Sequence, residues 1–274
     1  MSWTSKLNDM LAVGGIKIHR VKHGKVLERK VSETAGVMVE LFGTSGVGKS
    51  HFYRMLPREI KKKWHSRRSL FDCVETREDF SLLDEDEVEL VETLLRWKYE
   101  SVISQNMPLS RKVRLYDFFL KSMAADIIAR KELLPICGVF KDDSLIKLYS
   151  KEVLRWYEQN NDKNDEMLKN FLHGRCIILI YAPDEYILEN LKRRNAENEG
   201  KSDNDLIAHF GVDDAMNLTR KNRIADNHCL DVVKSLGVPI LILEATEEKY
   251  VNQQKLINFL GSVSNSINMG LLKF

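Results

Sequence analysis

Eight consecutive residues carry the clearest chemical signal in the chain. They match the pattern G-x-x-x-x-G-K-[ST] at every required position, and they are Gly43, Thr44, Ser45, Gly46, Val47, Gly48, Lys49 and Ser50. Glycines permit left-handed backbone conformations that turn successive N–H groups toward one point and so form a nest for an anion. A helix that begins at such a loop adds the positive end of its dipole. The spacing therefore predicts a loop that binds phosphate groups.

The residues that end this loop have separate expected roles. Lys49 is expected to reach the β- and γ-phosphates, and the Ser50 hydroxyl is expected to bind Mg²⁺. His51 follows directly and completes the predicted nucleotide-binding set. The apolar run VMVEL before the loop favours a buried parallel strand, and KSHFYRML after it predicts a helix that Pro57 ends. This strand, loop and helix order is the context that the motif requires.

Two adjacent carboxylates, Asp142 and Asp143, follow the apolar run that ends at Phe140. An acid directly after a buried strand is where a phosphate-binding protein of this kind holds its Mg²⁺ shell. We expect Asp142 to bind the metal and Asp143 to act as a base, although the two roles can also be exchanged. Glu75, after an earlier apolar run, is a second candidate for the base.

Five apolar runs separated by helical patterns are the predicted strands of the domain. They are residues 37–42, 69–74, 133–140, 175–181 and 238–243. Alternation of strands with helices predicts an α/β fold in which a parallel sheet has helices on both faces. Ligands of such sheets bind beyond the carboxyl ends of the strands, which is where the loop and the acid pair lie.

With this loop and strand order, the sequence resembles the P-loop NTPases, and within them the nucleoside and nucleotide kinases. The resemblance extends from about residue 37 to 260 and implies a P-loop kinase-like parallel five-stranded sheet flanked by helices, with a helical insertion and a lid. It also implies ATP and Mg²⁺ as ligands. Lid arginines of these kinases close over the phosphates, and Arg193 and Arg194 are the first candidates, with Arg220 and Arg223 as alternatives.

The resemblance also divides the chain into regions. Residues 1–36 are a basic N-terminal extension. Apolar and basic residues alternate on both sides of His23 and Gly24, and this pattern predicts a hairpin. Residues 37–274 are the kinase-like domain, in which 82–131 is a helical insertion that binds the acceptor and 192–225 is the lid region. Candidate acceptor-binding residues in the insertion are Tyr99, Arg111, Arg114, Tyr116 and Phe119. Ala245 and Thr246, after the last strand, would lie near the adenine.

The acceptor is expected to be a hydroxyl group of a small molecule. Nucleosides and nucleotides are candidates. The Asp142-Asp143-Ser144-Leu145 sequence and the divergent insertion also resemble P-loop kinases of bacterial surface-polysaccharide pathways, which makes a sugar or glycan hydroxyl another candidate.

Charge is distributed unevenly along the chain, and this supports a competing hypothesis. Residues 1–68 carry fifteen Lys or Arg and five Asp or Glu, whereas residues 69–100 carry three and eleven. The run from Arg58 to Arg68 is suited to a polyanion such as nucleic acid or an acidic glycan. In this competing hypothesis, the protein is an NTP-binding switch or a regulatory ATPase that binds such a partner. A nucleotide-binding subunit without turnover is a third alternative. The absence of an Asn-Lys-x-Asp motif disfavours a GTPase.

Composition limits the remaining classes of protein. No apolar run approaches the roughly 20 residues of a membrane span, and MSWTSKLNDM lacks the apolar core of a signal peptide. Four widely spaced cysteines, Cys73, Cys137, Cys176 and Cys229, are predicted to be reduced core residues. These features predict a cytoplasmic protein.

Overall fold

The computed structural model describes residues 34–58, 64–66, 80–135, 137–159, 162–197 and 206–268. The fold is α/β, with a parallel sheet flanked by helices. Its strands are β1 Met38–Phe42, β2 Trp64–Ser66, β3 Gly138–Lys141, β4 Arg175–Tyr181 and β5 Ile240–Glu244. They lie side by side in the order β2-β3-β1-β4-β5, with β1 at the centre and every neighbouring pair parallel.

Helices connect the strands within the described residues. Their bounds are α1 Lys49–Met55, α2 Glu85–Ile103, α3 Leu109–Ile128, α4 Leu145–Leu148, α5 Ser150–Glu158, α6 Asp162–Leu172, α7 Asp184–Glu197, α8 Leu206–Ser235 and α9 Lys249–Asn268. Gly211 has non-helical backbone angles and divides α8 with a kink. In the described parts of the chain, none of these helices has the length and hydropathy needed to cross a membrane.

The central strands bury side chains on both faces, which is why they read as continuous apolar runs. Val39 and Leu41 of β1 pack in one cluster with side chains of α1, α7 and α9. Phe42 of β1 and Ile177 of β4 pack in a second cluster with side chains of α2, α3, α5, α6 and α8. The sheet therefore lies between two layers of helices.

Most of the predicted strands agree with the structure. The run 37–42 forms β1, 175–181 forms β4 with the predicted bounds, and 238–243 contains most of β5. The predicted strand 69–74 lies outside the described residues, as do Cys73 and Glu75. Most of the predicted hairpin in residues 1–36 and most of the basic run from Arg58 to Arg68 lie outside them too.

The predicted start of the third strand is wrong. Residues Ala129–Leu133 form a π-helical turn that continues α3, and β3 begins only at Gly138. Leu134, which follows this turn, packs in a small core cluster with α3. A short apolar run fits a buried helix end as well as a strand, so periodicity alone did not separate the two.

Helix α2 begins as the sequence indicates. Asp84 caps α2 by accepting a hydrogen bond from the Glu87 backbone N–H at 2.9 Å, and the Glu87 side chain accepts one from the Asp84 N–H at 3.4 Å. This reciprocal pair is a capping box, and three acidic residues in the first turn suit the helix dipole.

A network of buried charges connects the central strands to α3. Asp126 on α3 accepts hydrogen bonds from Arg175 Nη2 at 2.5 Å and from Lys141 Nζ at 2.7 Å. Arg175 Nη1 also donates to Glu40 Oε1 of β1 at 2.6 Å. These side chains are almost fully buried, and the arginine and lysine partners hold the pKa of Asp126 far below its usual range. The network fixes β1, β3 and β4 against α3.

Candidate functional site

The predicted loop lies at the carboxyl end of the central strand. It follows Phe42 at the end of β1 and continues to Gly48, where α1 begins. Gly46 and Gly48 have φ angles of +85° and +97°, in the region that favours glycine. Gly48 is the cap residue of α1, and no side chain hydrogen bonds to the helix there. The backbone thus has the left-handed turns that an anion nest requires.

Gly43 permits the closest packing between the loop and the sheet. Its φ is +153°, and a Cβ atom added there would lie 2.8 Å from the Ile180 carbonyl oxygen of β4. Because that atom belongs to the backbone of a central strand, it has little freedom to move away. The first glycine of the motif is therefore required by its contact with β4.

Lys49 bends back over the loop. Its Nζ donates hydrogen bonds to the carbonyl oxygens of Gly43 at 2.9 Å and Thr44 at 3.4 Å. Asp143 Oδ1 lies 3.8 Å from the same Nζ atom. Burial lowers the pKa of Lys49, and the neighbouring Arg194 lowers it further, whereas Asp143 and Asp142 act in the opposite direction. The structure thus brings together the loop lysine and the acid pair.

The acid pair is fixed to the central strand through Ser144. Ser144 Oγ donates a hydrogen bond to Glu40 Oε2 of β1 at 2.6 Å and accepts one from the Lys147 backbone N–H at 3.3 Å. The side chain of Ser144 therefore caps α4 while it holds the preceding turn, Asp142 and Asp143, against β1. Glu40 links this turn to the buried charge network through Arg175.

Helix α7 contacts the other side of the loop. Asn190 Nδ2 donates to the Gly46 carbonyl at 2.9 Å, and Arg194 Nη1 donates to Ser45 Oγ at 3.3 Å. Arg193 turns outward: its Nη2 donates to Asn190 Oδ1 at 3.0 Å, and its Nε lies 3.9 Å from Glu197. Of the two arginines first predicted for the lid, Arg194 contacts the loop and Arg193 does not contact it in this structure.

The alternative lid arginines both bind Asp184 at the start of α7. Arg220 Nε donates to its carboxylate at 2.6 Å, and Arg223 donates to the other oxygen. These two arginines hold the pKa of Asp184 below its usual value. Arg223 also lines a cavity of about 20 Å³ beside Gly43 and Thr44, so it lies nearer to the loop than the sequence alone indicates.

The predicted metal ligands lie around the same loop. Ser50 is exposed in the first turn of α1, and Asp142 is half-buried after β3. Among the described residues, no group of three or more His, Cys, Asp or Glu side chains is placed to hold a metal ion by itself. Ser50 and Asp142 supply two oxygen donors, which fits Mg²⁺ because this ion is commonly held by one or two protein oxygens together with substrate phosphates and water. His51 is exposed beside Ser50.

The residues predicted to bind the acceptor lie on α2 and α3, and the aromatic ones among them contact other rings. The rings of Tyr99 and Tyr116 meet edge to face at 5.1 Å, and Phe119 contacts Tyr149 at 5.9 Å. Arg111 is half-buried and Arg114 is exposed on the same helix. After β5, the Ala245 N–H donates to the Tyr181 carbonyl at 2.8 Å, and Thr246 is exposed.

A larger cavity, of about 710 Å³, lies elsewhere in the described structure. Its lining includes Ala35 and Gly36 before β1, Leu134 and Pro135 before β3, and His173 before β4. These residues precede the strands, so the cavity is at the amino end of the sheet and the glycine-rich loop is at the opposite end. Four of its charged side chains are paired with one another: Arg130 with Glu87 at 2.6 Å, and Lys131 with Glu87 at 2.5 Å and with Asp84 at 3.5 Å. The cavity is therefore not part of the candidate site.

Three side chains of the site were missed by the sequence analysis. Asn190 contacts the loop, and Lys147 Nζ donates to the Gly43 carbonyl alongside Lys49. Asp226 on α8 lines the small cavity beside the loop. Lys147 had a usable signal, because it follows the acid pair at helical spacing. Asn190 and Asp226 are brought to the loop by tertiary contacts that no local pattern encodes.

Comparison with known proteins adds no identification to this geometry. No protein-family model matches the chain, and no curated protein is significantly similar to it in sequence.

Proposed function

We propose that this protein is a Mg-ATP-dependent phosphotransferase that moves the γ-phosphoryl group of ATP to a hydroxyl group of a small molecule. One observation carries the proposal: the loop lysine, Lys49, lies 3.8 Å from a carboxylate oxygen of Asp143, which follows the neighbouring strand. A phosphate-binding group and a candidate base therefore share the carboxyl end of the sheet, where ligands of such folds bind.

Catalysis in this proposal depends mainly on positioning and electrostatics. Lys49 binds the phosphates, and Arg194, which already contacts Ser45, adds positive charge beside the transferring group. Ser50 and Asp142 are the residues that would hold Mg²⁺. When bound, this ion would neutralise charge on the phosphate oxygens.

The carboxylate of Asp143 orients or deprotonates the acceptor hydroxyl. The turn that carries it is fixed by the Ser144 to Glu40 hydrogen bond, which supports precise placement. The exchange of roles between Asp142 and Asp143 is the alternative assignment, and Glu75 is a third candidate outside the described residues.

A kinase-like fold with a helical insertion and a lid is part of the same proposal. The strand order, with the loop strand at the centre, supports it. In this reading, α2 and α3 bind the acceptor, and the end of α7 with the start of α8 forms the lid. The acceptor is a nucleoside, a nucleotide or a sugar or glycan.

Substitution of Lys49 tests the proposal. Transfer of labelled phosphate from γ-labelled ATP to pooled nucleosides, nucleotides and sugars is measured for the wild type, Lys49→Ala and Lys169→Ala. Lys169 is an exposed lysine in the last turn of α6, before β4, so its substitution removes the same charge at the opposite end of the sheet. Lys49→Ala is expected to lower the rate by about a hundredfold or more, and Lys169→Ala is expected to leave it unchanged. Full transfer by Lys49→Ala would refute the mechanism.

The uneven charge of the chain supports a second candidate function. In it, the protein is an NTP-binding switch whose basic N-terminal region binds nucleic acid or a protein partner. A switch is expected to bind a polyanion with strong salt dependence and to hydrolyse ATP slowly unless its partner is present. Phosphoryl transfer to an acceptor that requires Asp143 favours the phosphotransferase.

A further inference from the structure

Lys147 shares one hydrogen-bond acceptor with the loop lysine. It lies on α4, four residues after Asp143, and its Nζ donates to the Gly43 carbonyl. Lys49 Nζ donates to the same carbonyl oxygen at 2.9 Å. Two ammonium groups from different elements therefore meet at the first residue of the phosphate loop.

This arrangement places two lysine amino groups side by side in a largely buried space, where burial and mutual repulsion oppose the protonation of both. Burial and the neighbouring Lys49 lower the pKa of Lys147 to about 7. Asp143 on the turn after β3 and Asp226 on α8 are the acidic groups that oppose this shift. One uncharged N–H donor would satisfy the Gly43 carbonyl oxygen without any charge repulsion. This acceptor alone therefore does not account for two lysines at the same place. An anion between the two lysines would remove the repulsion.

Asp226 is a buried acidic side chain at the same end of the sheet. Its side chain is 5% exposed, and Oδ1 accepts a hydrogen bond from Ser150 Oγ at 2.9 Å. Its other oxygen, Oδ2, is buried and has no hydrogen-bond partner among the described residues. Asp226 lines the cavity beside Gly43 and Thr44, where it acts as a distant counter-charge for the two lysines.

We propose that Lys147 is a second phosphate-binding cation, which together with Lys49 holds the terminal phosphates of a nucleoside triphosphate. The inference rests on the proposed function only in that the loop binds a nucleotide polyphosphate. It adds a substrate preference: two lysines that meet at one carbonyl oxygen suit the higher negative charge of a di- or triphosphate, so affinity should increase with the number of phosphates beyond the first.

Calorimetric titration of AMP, ADP and ATP, each with Mg²⁺, tests this proposal on the full chain. The variants are Lys147→Gln and, as a charge-matched control at the opposite end of the sheet, Lys169→Gln. Glutamine keeps an N–H donor for the Gly43 carbonyl and removes the charge, so it separates a structural role from phosphate binding. Lys147→Gln is expected to weaken ATP binding by about tenfold to a hundredfold and AMP binding by less than about twofold. Lys169→Gln is expected to change neither affinity.

Two results would overturn the proposal while the proposed function survives. One is a Lys147→Gln protein that binds ATP as tightly as the wild type does. The other is an equal loss of affinity for all three nucleotides, which indicates a structural role for Lys147. A wild type that binds none of the nucleotides would instead refute the proposed function, and the inference with it.

A measurement on the wild type covers the case in which Lys147→Gln does not fold. Lysines are reductively methylated with formaldehyde and borohydride, and each site is quantified by mass spectrometry. ATP is expected to protect Lys147 more than AMP does. Equal labelling of Lys147 without nucleotide, with AMP and with ATP would contradict a phosphate contact.

Discussion

Gly43 has two reasons to be glycine, and they can be measured separately. Its φ of +153° disfavours any side chain, and an added Cβ would lie 2.8 Å from the Ile180 carbonyl. Gly237, in the turn before β5, has a φ of +92° but no atom within 4 Å of an added Cβ. The pair therefore separates backbone strain from steric contact with the sheet.

We expect Gly43→Ala to destabilise the protein more than Gly237→Ala does. Gly237→Ala should cost about 1 to 2 kcal/mol because of its left-handed backbone alone. Gly43→Ala should cost about 1 to 3 kcal/mol more, because the loop must move away from β4. Denaturant unfolding of both variants gives the two free energies. Equal losses would show that the loop does not pack on β4 as described.

The acid pair shows how a site residue depends on its neighbours. Asp143 lies near Lys49 because Ser144 caps α4 and donates to Glu40, and Glu40 in turn binds Arg175. The position of Asp143 therefore depends, through Ser144 and Glu40, on the charged side chains buried between the sheet and α3.

These buried charges hold strands β1, β3 and β4 against α3. Removing one partner of a buried ion pair leaves an uncompensated charge, which commonly costs about 3 to 5 kcal/mol. Asp126 accepts hydrogen bonds from Arg130, Lys141 and Arg175, so its loss leaves three cations without their shared partner. The elements around β1 should therefore depend strongly on this one carboxylate.

We expect Asp126→Asn to lower the free energy of unfolding at pH 7 by about 3 to 5 kcal/mol. Asp117→Asn is the control, because Asp117 lies on the same helix in an exposed pair with Lys121 and should contribute at most about 1 kcal/mol. The measurement is urea unfolding of both variants and the wild type. An Asp126→Asn protein as stable as the control would contradict the network.

The same comparison has a pH dependence with a defined sign. The folded-state pKa of Asp126 is depressed, so its stabilisation is present above the unfolded-state pKa of about 4 and is lost as the pH falls below it. The stability difference between the wild type and Asp126→Asn should therefore shrink as the pH is lowered below about 4. A difference that stays constant would show that the charge of Asp126 is not responsible.

How much of the molecule was predictable depends on the range of the interactions. The glycine-rich loop between a strand and a helix, the Asp84 cap and the bounds of β4 were predicted because each depends on residues adjacent in sequence. Contacts between distant residues were not predictable, since Lys147 and Gly43 are 104 positions apart and Asp126 and Arg175 are 49 apart. A polar residue inside an apolar strand, such as Glu40, was the available hint of a buried network.

Ligand binding should stabilise the folded chain if the loop holds a nucleotide. A ligand at a hundred times its dissociation constant adds about 2.7 kcal/mol to the free energy of unfolding. We expect Mg-ATP to raise the midpoint of thermal unfolding by several degrees in the wild type and in Lys169→Ala. Lys49→Ala should show little or no shift. An equal shift in Lys49→Ala would place the nucleotide away from the loop.

Phosphoryl transfer by Asp143→Asn is the most direct measurement. Wild type and variant are incubated with Mg-ATP and pooled nucleosides, nucleotides and sugars, and ³¹P NMR spectra are recorded beside calorimetric titrations of ATP. We predict a new phosphoester resonance with the wild type. In Asp143→Asn the rate at which this resonance grows should fall by about a hundredfold or more, while the affinity for ATP is retained. ATP binding by the wild type without any phosphoester from these pools would contradict the account and favour the switch.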